Sequence, residues 1–161
     1  MKLYFCETSI GKIGIAEDAG KITNVYFATD IIPPALALEE TALIRDAFQQ
    51  LNAYLKGTLK AFSLPIAPAG TIFRQQVWQL LVNIPYGTTA TYKDIAIALG
   101  NPQSVRAVGQ ANHQNPIPLF IPCHRIIGMN GKLVGYRGGL AIKAKLLEIE
   151  KQGLANPLNL E

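Results

Sequence analysis

Thr91-Tyr92-Lys93-Asp94-Ile95-Ala96-Ile97-Ala98-Leu99-Gly100-Asn101-Pro102-Gln103-Ser104-Val105-Arg106-Ala107-Val108-Gly109-Gln110-Ala111 contains two short helical segments broken by a glycine. Gly100 closes the first, over Tyr92 to Leu99, because glycine takes the left-handed cap conformation without a β-carbon clash. Asn101-Pro102, a capping side chain before a proline at the first helical position, predicts a second helix over Gln103 to Ala111. Two short helices across a glycine turn form the helix-turn-helix arrangement, whose second helix lies against nucleic acid. That second helix is thin (Ala107, Gly109, Ala111) and carries one long cation, Arg106, near its start. Small residues suit packing against a core. They also suit a minor groove only about 6 Å wide, into which a lone arginine can insert.

Downstream, Asn115-Pro116 stops the helix, and a proline-punctuated apolar run (Pro116, Ile117, Pro118, Leu119, Phe120) leads into Ile121-Pro122-Cys123-His124-Arg125. One of two cysteines stands against one of two histidines, with a guanidinium next. A thiolate is a far better nucleophile than a thiol, an imidazole can take the proton, and a fixed Arg125 charge favours the anion. The alternative is a buried cysteine acting as a small hydrophobe. Cys6, Cys123, His113 and His124 exhaust the soft ligands and lack paired metal-site spacing, so no metal is expected. Beyond the cysteine, Gly128 to Lys132 reads as a turn. Leu133-Val134-Gly135-Tyr136-Arg137-Gly138-Gly139 reads as a glycine-rich loop that allows close backbone approach to a ligand. A last helix from Leu140 to about Gln152 is expected to pack Leu140, Ala144 and Leu147 inward and to end at Gly153. Its Glu150 either orients His124 or is simply solvated. The tail from Leu154 to Glu161 reads as loose.

Upstream, a helix is expected over Ile72 to Val82, with Trp78 in the core, ended by Pro85-Tyr86-Gly87. Residues 58–71, with Pro65, Pro68 and Gly70, read as a linker. Ile44, Ala47, Phe48, Leu51, Tyr54 and Leu55 follow helical spacing from about Glu39 to Lys56. Residues 2–28 alternate apolar and polar in three runs, an antiparallel meander ended by Pro33-Pro34. Nothing before residue 60 carries obvious chemistry. The fold class is therefore α/β (α+β): residues 1–69 form an N-terminal antiparallel sheet with a helix, and residues 70–161 a mostly helical domain with the helix-turn-helix.

Charge supports the division. Residues 1–70 balance at −1 and residues 71–161 at +5, within a net charge of +4. A cationic half favours an anionic partner, nucleic acid foremost. No run of about 18 apolar residues predicts a membrane span. No signal-peptide h-region is visible, and two cysteines without a framework suit a reducing, cytoplasmic setting.

Phe73…Val77-Trp78, Ile84-Pro85-Tyr86-Gly87, Thr91-Tyr92, Arg106-Ala107-Val108-Gly109, Asn115-Pro116, Ile121-Pro122-Cys123-His124-Arg125 and Gly138-Gly139-Leu140 occur in order. Together they closely resemble the O6-alkylguanine-DNA alkyltransferases over residues 70–152, whereas residues 1–69 fit only in length and pattern. The resemblance implies a suicide repair protein acting once per molecule, without cofactor and as a monomer, on double-stranded DNA carrying O6-alkylguanine. O4-alkylthymine stays open as a further lesion. It implies that Cys123 accepts the alkyl group, that His124 activates it through a water, and that Glu150 orients His124. It places Tyr92 near the flipped base and its phosphate, Arg106 in the vacated stack, and Lys93 and Asn101 on the DNA backbone. Asn115 would tie the recognition helix to the active-site strand. Pro118, the carbonyls of Cys123 and Ile126, and the Tyr136-Arg137-Gly138 loop would line the base pocket. Arg137 departs from the small residue usual there, which bears on how large an alkyl group fits or whether Arg137 swings out towards phosphate.

Two other classes fit parts of the pattern. One is a thiol hydrolase, although adjacent residues of a strand face opposite ways and oppose a direct Cys123–His124 dyad. The other is a DNA-binding module whose thiol is incidental.

Overall fold

The alternating runs of the first residues form the expected meander. In the computed structural model, which describes residues 1–34 and 36–155, strands β1 (Lys2–Thr8), β2 (Gly11–Asp18) and β3 (Lys21–Phe27) pair antiparallel in sequence order. Ala19 and Gly20 both take positive φ at the β2–β3 turn, the geometry that matches the twist of a tight hairpin. A strand the sequence did not announce, β4 (Ala37–Leu38), follows the prolines and lies parallel to β1, so the sheet order is β3-β2-β1-β4. Thr41 caps α1 (Ala42–Leu55) through its side chain, so this helix starts three residues later than its periodicity suggested. Its buried face, Ile44, Ala47, Phe48, Leu51 and Tyr54, covers the sheet. Each large apolar side chain so buried contributes about 1.5–3 kcal/mol.

The segment expected to be a linker is a strap. Ile22 donates to the Pro65 carbonyl and accepts from Ala67 N–H, both at 2.8 Å, and Leu59, Phe62, Leu64 and Ile66 pack on the core. Prolines prevent a continuous ladder here, but one residue between them can still pair and blunt the edge strand. A bulge continues the logic. Pairing shifts from Ala16↔Asn24 to Glu17↔Ile22, leaving Thr23 unopposed. The extra residue resets the alternation, so Val25 also turns its backbone outward, where its N–H meets the Pro116 carbonyl at 2.9 Å. The first half therefore grips the second through backbone as well as side chains, and one apolar core runs through both.

In the second half, α2 (Ile72–Val82) is capped by Thr71 and buries Val77, Trp78 and Leu81. Trp78 is a core residue whose indole N–H donates to the Ala111 carbonyl at 2.8 Å. Strand β5 (Ala90–Thr91) runs into α3 (Tyr92–Ala98), which Thr91 and Asp94 close with a reciprocal capping box. The next helix, α4, spans Val105–His113 and begins two residues later than Asn101-Pro102 implied. The Asn101 side chain accepts from Gln103 N–H at 3.3 Å and its carbonyl accepts from Ser104, so these residues form a turn before the helix. The helix-turn-helix stands, with α3 packed on α4 and both on α2.

Cys123–Arg125 form a single 3-10 turn, not a strand, and continue into β6 (Ile126–Ile127), which pairs parallel with β5. The last helix, α5 (Leu140–Ala155), buries Lys143, Leu146, Glu150 and Gly153. Leu140 is exposed and Ala144 also faces out, contrary to the apolar spacing. Charged residues face inward because partners await them there, and Gly153 is interior because the Tyr86 ring occupies the space of a β-carbon. Leu154 and Ala155 complete the helix; the rest of the expected loose tail lies outside the described residues.

Candidate active site and nucleic-acid face

The run Pro116 to Pro122 presents the thiol. Leu119 sits at φ +78° while only 1% exposed, a left-handed conformation costing a non-glycine residue roughly 1–2 kcal/mol. Burial of Leu119 and the bonds around it hold that strained turn. Ile121 N–H donates to the Ile117 carbonyl at 2.9 Å. The Asn115 side chain donates to the Ile121 carbonyl and accepts from Ile117 N–H, each at 3.0 Å. Asn115 thus joins the end of α4 to the turn carrying Cys123.

Cys123 is 4% exposed and borders a cleft with Asn112, His113, Asn115, Pro118, Gly135, Tyr136 and Arg137. The cleft encloses about 250 Å³ of empty space, part of it open to solvent, and has room for about one water molecule. A purine needs its walls to part. Burial pushes the Cys123 thiol above its ordinary value, while the Asn115 side chain and the charges of Arg137 and Lys143 pull weakly the other way. The resting group is a thiol, and it can act as a nucleophile only if its proton leaves.

The 3-10 turn sends His124 and Arg125 inward. His124 Nε2 lies 2.7 Å from Glu150 Oε2 and 3.2 Å from the Tyr54 hydroxyl. Tyr54 donates to the same carboxylate oxygen at 2.5 Å. A carboxylate only accepts, so Nε2 carries the proton and Nδ1 presents its lone pair. Nδ1 is buried and meets no hydrogen-bond partner among the described residues. Arg125 was expected to favour the thiolate. Instead it donates to both Glu150 oxygens, at 2.9 and 3.1 Å, and to the Ile84 carbonyl at 2.7 Å. The Gly87 N–H completes the set around Glu150 at 2.9 Å.

Glu150 is therefore a buried anion that accepts five hydrogen bonds from four residues. Burial works to raise its pKa, but the hydrogen bonds and charges of His124 and Arg125 outweigh it and hold the carboxyl down to about 2. Burial lowers His124, Glu150 opposes, and Arg125 and Lys143 reinforce the lowering. His124 is consequently neutral at pH 7, the state able to accept a proton.

Among the other residues the sequence singled out, Tyr92 is half-buried with its hydroxyl near Gly135, and a β-carbon on Gly109 would lie 3.9 Å from its ring. Burial, then the Cys123 sulfur, push its phenol up. Pro118 and Ile126 are both buried; Pro118 borders the cleft, whereas Ile126 is not among its lining residues. Tyr136 packs edge-on against Phe27, with ring centroids 5.6 Å apart. Gly138 faces the same ring, which a β-carbon would approach to 2.8 Å. Arg137 does not swing out to solvent; it borders the cleft, bonds the Asn115 carbonyl beside it, and reaches back to the Val25 carbonyl and the Asp30 carboxylate of the first half. Arg106, Lys93 and Asn101 are exposed. Arg106 lines a broad groove with Arg74, Gly109, Gln110, His113 and Gln114. His113 borders both groove and cleft, so the exposed face of α4 leads to the thiol.

Sequence reasoning missed Tyr54, Asp30, the Val25 carbonyl and Lys143. Tyr54 sits on the apolar face of α1 and looked like core, although a buried phenol requires a partner. Lys143 is fully buried and donates to the Val134 carbonyl at 2.9 Å. Its place on the inner face of α5 became visible only with the fold. No helix of the described residues is long and apolar enough to cross a membrane.

A helix-turn-helix whose second helix leads to a buried thiol, beside a neutral histidine oriented by a carboxylate, defines a DNA-directed protein with a one-proton thiol chemistry. Residues 72–152 match the DNA-binding domain of 6-O-methylguanine DNA methyltransferase, and residues 1–68 match the ribonuclease-like domain of the same protein. The chain belongs to the 6-O-methylguanine DNA methyltransferase family. It is 46% identical to the methylated-DNA–protein-cysteine methyltransferase of Methanosarcina barkeri, over 92% of this chain and 96% of that one. It is also 46% identical to the constitutive enzyme of that name from Bacillus subtilis, over 90% and 92%. Its fold superposes on the crystal structure of Mycobacterium tuberculosis OGT in complex with DNA with a TM-score of 0.91 and 39% identity, covering 99% of this chain and 98% of that one. The protein transfers a methyl group from 6-O-methylguanine in DNA to a cysteine of its own.

Proposed function

We propose that Cys123 is the acceptor and that His124 takes its proton. The observation that carries the assignment is the cleft: it is bordered by Cys123 and not by Cys6, and His113 links it to the exposed face of α4. As the base arrives, the thiol proton passes to His124 Nδ1 through a bridging water, with Nε2–H held by Glu150 and Tyr54. The sulfur attacks the saturated alkyl carbon. A carbon–sulfur bond forms as the carbon–O6 bond breaks, and the electron pair leaves with the guanine, which takes a proton from the Tyr92 hydroxyl to become the normal base; the proton held by His124 passes to solvent and restores the phenol. The thioether has no leaving group for a reverse step, so the protein is spent.

The DNA partner is met by α4. Its small residues allow close approach, and Arg106 fills the stack from which the damaged nucleotide is extruded, a step costing a few kcal/mol. Tyr92 stands at the base and its phosphate, and Lys93 and Asn101 meet the backbone. Pro118, the carbonyls of Cys123 and Ile126, and Tyr136 to Gly138 bound the base. We keep residues 1–69 as a scaffold unit and 70–161 as the DNA-binding and acceptor unit, and we infer a cytoplasmic setting from two free cysteines.

The test is to incubate the protein with a duplex carrying O6-methylguanine and weigh its peptides. A mass gain of one methylene on the Cys123 peptide is expected. Cys123→Ser should lose transfer and keep duplex binding; a gain on Cys6, or transfer surviving in the variant, would overturn the assignment.

A further inference from the structure

Arg137 is tied at three points. Nη1 donates to the Asn115 carbonyl at 3.1 Å, Nη2 donates to the Val25 carbonyl at 2.7 Å, and Nε lies 3.2 Å from Asp30 Oδ2 as an ion pair outside hydrogen-bond geometry. Asp30 is fixed in turn, accepting from Phe27 N–H at 2.7 Å. The guanidinium carbon lies 5.8 Å from the centre of the Phe27 ring, which also packs on Tyr136.

Two pieces of chain border the cleft over Cys123: residues 112–118 and residues 135–137. Arg137 belongs to the second and bonds the Asn115 carbonyl of the first, so its Nη1 bond spans the two. The second piece lies in an irregular stretch with positive φ at Gly135 and Gly139. Among the described residues, the other polar ties from Leu133 to Gly139 are few: the Val134 carbonyl accepts from Lys143 Nζ, Gly139 N–H donates to the Tyr136 carbonyl, and the Gly139 carbonyl accepts from Lys143 N–H. The planar five-donor fork of an arginine holds several acceptors at fixed spacing, which a lysine cannot do. With the fork engaged, the cleft is too narrow for a purine.

We propose that Arg137 is a latch that sets the width of the base cleft and so determines which alkyl groups the protein accepts. It releases the Asn115 carbonyl for a base to enter and closes again over a methyl group. Over a bulky group it stays open, and the alkyl carbon is held less often against the sulfur. This inference rests on Cys123 as the acceptor.

The test compares transfer rates from O6-methylguanine and O6-benzylguanine at one position of the same duplex. Arg137→Ala should raise the benzyl-to-methyl rate ratio by tenfold or more. Arg137→Lys should raise it nearly as far, because it keeps the charge that favours the thiolate but loses the fork. Asp30→Asn, which loosens the same latch from the first half, should move the ratio in the same direction by less. A change in thiolate population scales both rates and leaves the ratio alone. Should Arg137→Ala not fold, the other two variants carry the comparison. Ratios within twofold of the unmodified protein, with methyl transfer to Cys123 intact, would overturn the latch. Absence of methyl transfer to Cys123 in the unmodified protein would instead sink the acceptor assignment and the latch with it.

Discussion

The Tyr54 hydroxyl, on the first helix of the chain, bonds Glu150 at 2.5 Å and lies 3.2 Å from His124 Nε2. The half of the molecule that looked chemically silent thus supplies a donor to the histidine–carboxylate pair. Burial, then the Glu150 charge, push the Tyr54 phenol well above its ordinary value, so it remains a donor at any working pH.

Tyr54→Phe removes that donor and little volume. Stability should fall by about 1.5–3 kcal/mol, as for a buried hydrogen bond to a charged group, read by urea unfolding. The carboxylate, no longer shared, then acts more strongly on His124 and raises its pKa. The acid limb of the rate of Cys123 alkylation by free O6-benzylguanine should therefore move to higher pH. An unmoved limb would leave Tyr54 a packing residue only.

Glu150→Gln leaves the buried Arg125 charge without its anion. A cost of about 3–5 kcal/mol is expected for breaking a buried pair from one side, together with at least a tenfold loss of transfer because His124 loses its orienting acceptor. Full activity in a folded Glu150→Gln protein would remove the carboxylate from the relay.

Stability should fall at both ends of the pH scale. Glu150 titrates near 2 when folded against an ordinary 4.5, so between these values the unfolded chain binds more protons. Its contribution is complete above pH 4.5 and is lost as pH falls towards 2. His124 is lowered from 6.5, so its contribution is present above 6.5 and lost as pH falls below that. Cys123 is raised above 9.0; the unfolded thiol ionises first, and stability declines as pH rises past 9. Thermal melts from pH 3 to 10 check the signs, and stability rising from pH 6.5 down to 4 would contradict them.

Arg106→Ala should slow repair in duplex DNA by tenfold or more while leaving the reaction with free O6-benzylguanine within about twofold. Lys93→Ala should weaken binding alike for all sequences and flatten the logarithmic salt dependence by about one. Equal slowing of Arg106→Ala in both assays would deny it a role in the stack.

Gly138→Ala places a β-carbon 2.8 Å from the Phe27 ring. Overpacking of this kind costs about 1–3 kcal/mol, measurable as a lowered melting temperature. The ring is pinned by Tyr136 and Arg137 and cannot simply turn away.

The sequence determined what periodicity and turn chemistry can determine: three alternating strands, the amphipathic α1 and α2, the glycine break between α3 and α4, and a cysteine beside a histidine on a proline-stiffened run. These follow from local sterics and from which side chains prefer water, information carried within a few residues. The start of α4 was displaced because Asn101 spends its side chain on a turn. The inner face of α5 was misread because Lys143 and Glu150 are charged, and hydropathy cannot see partners supplied by Val134, Arg125, His124 and Tyr54. The 3-10 turn at Cys123, the strap over residues 58–67 and the reach of Arg137 to Val25 depend on distant backbone groups brought alongside. Only the closed fold decides such contacts, because a buried polar group takes whichever partner the packing leaves within hydrogen-bond distance.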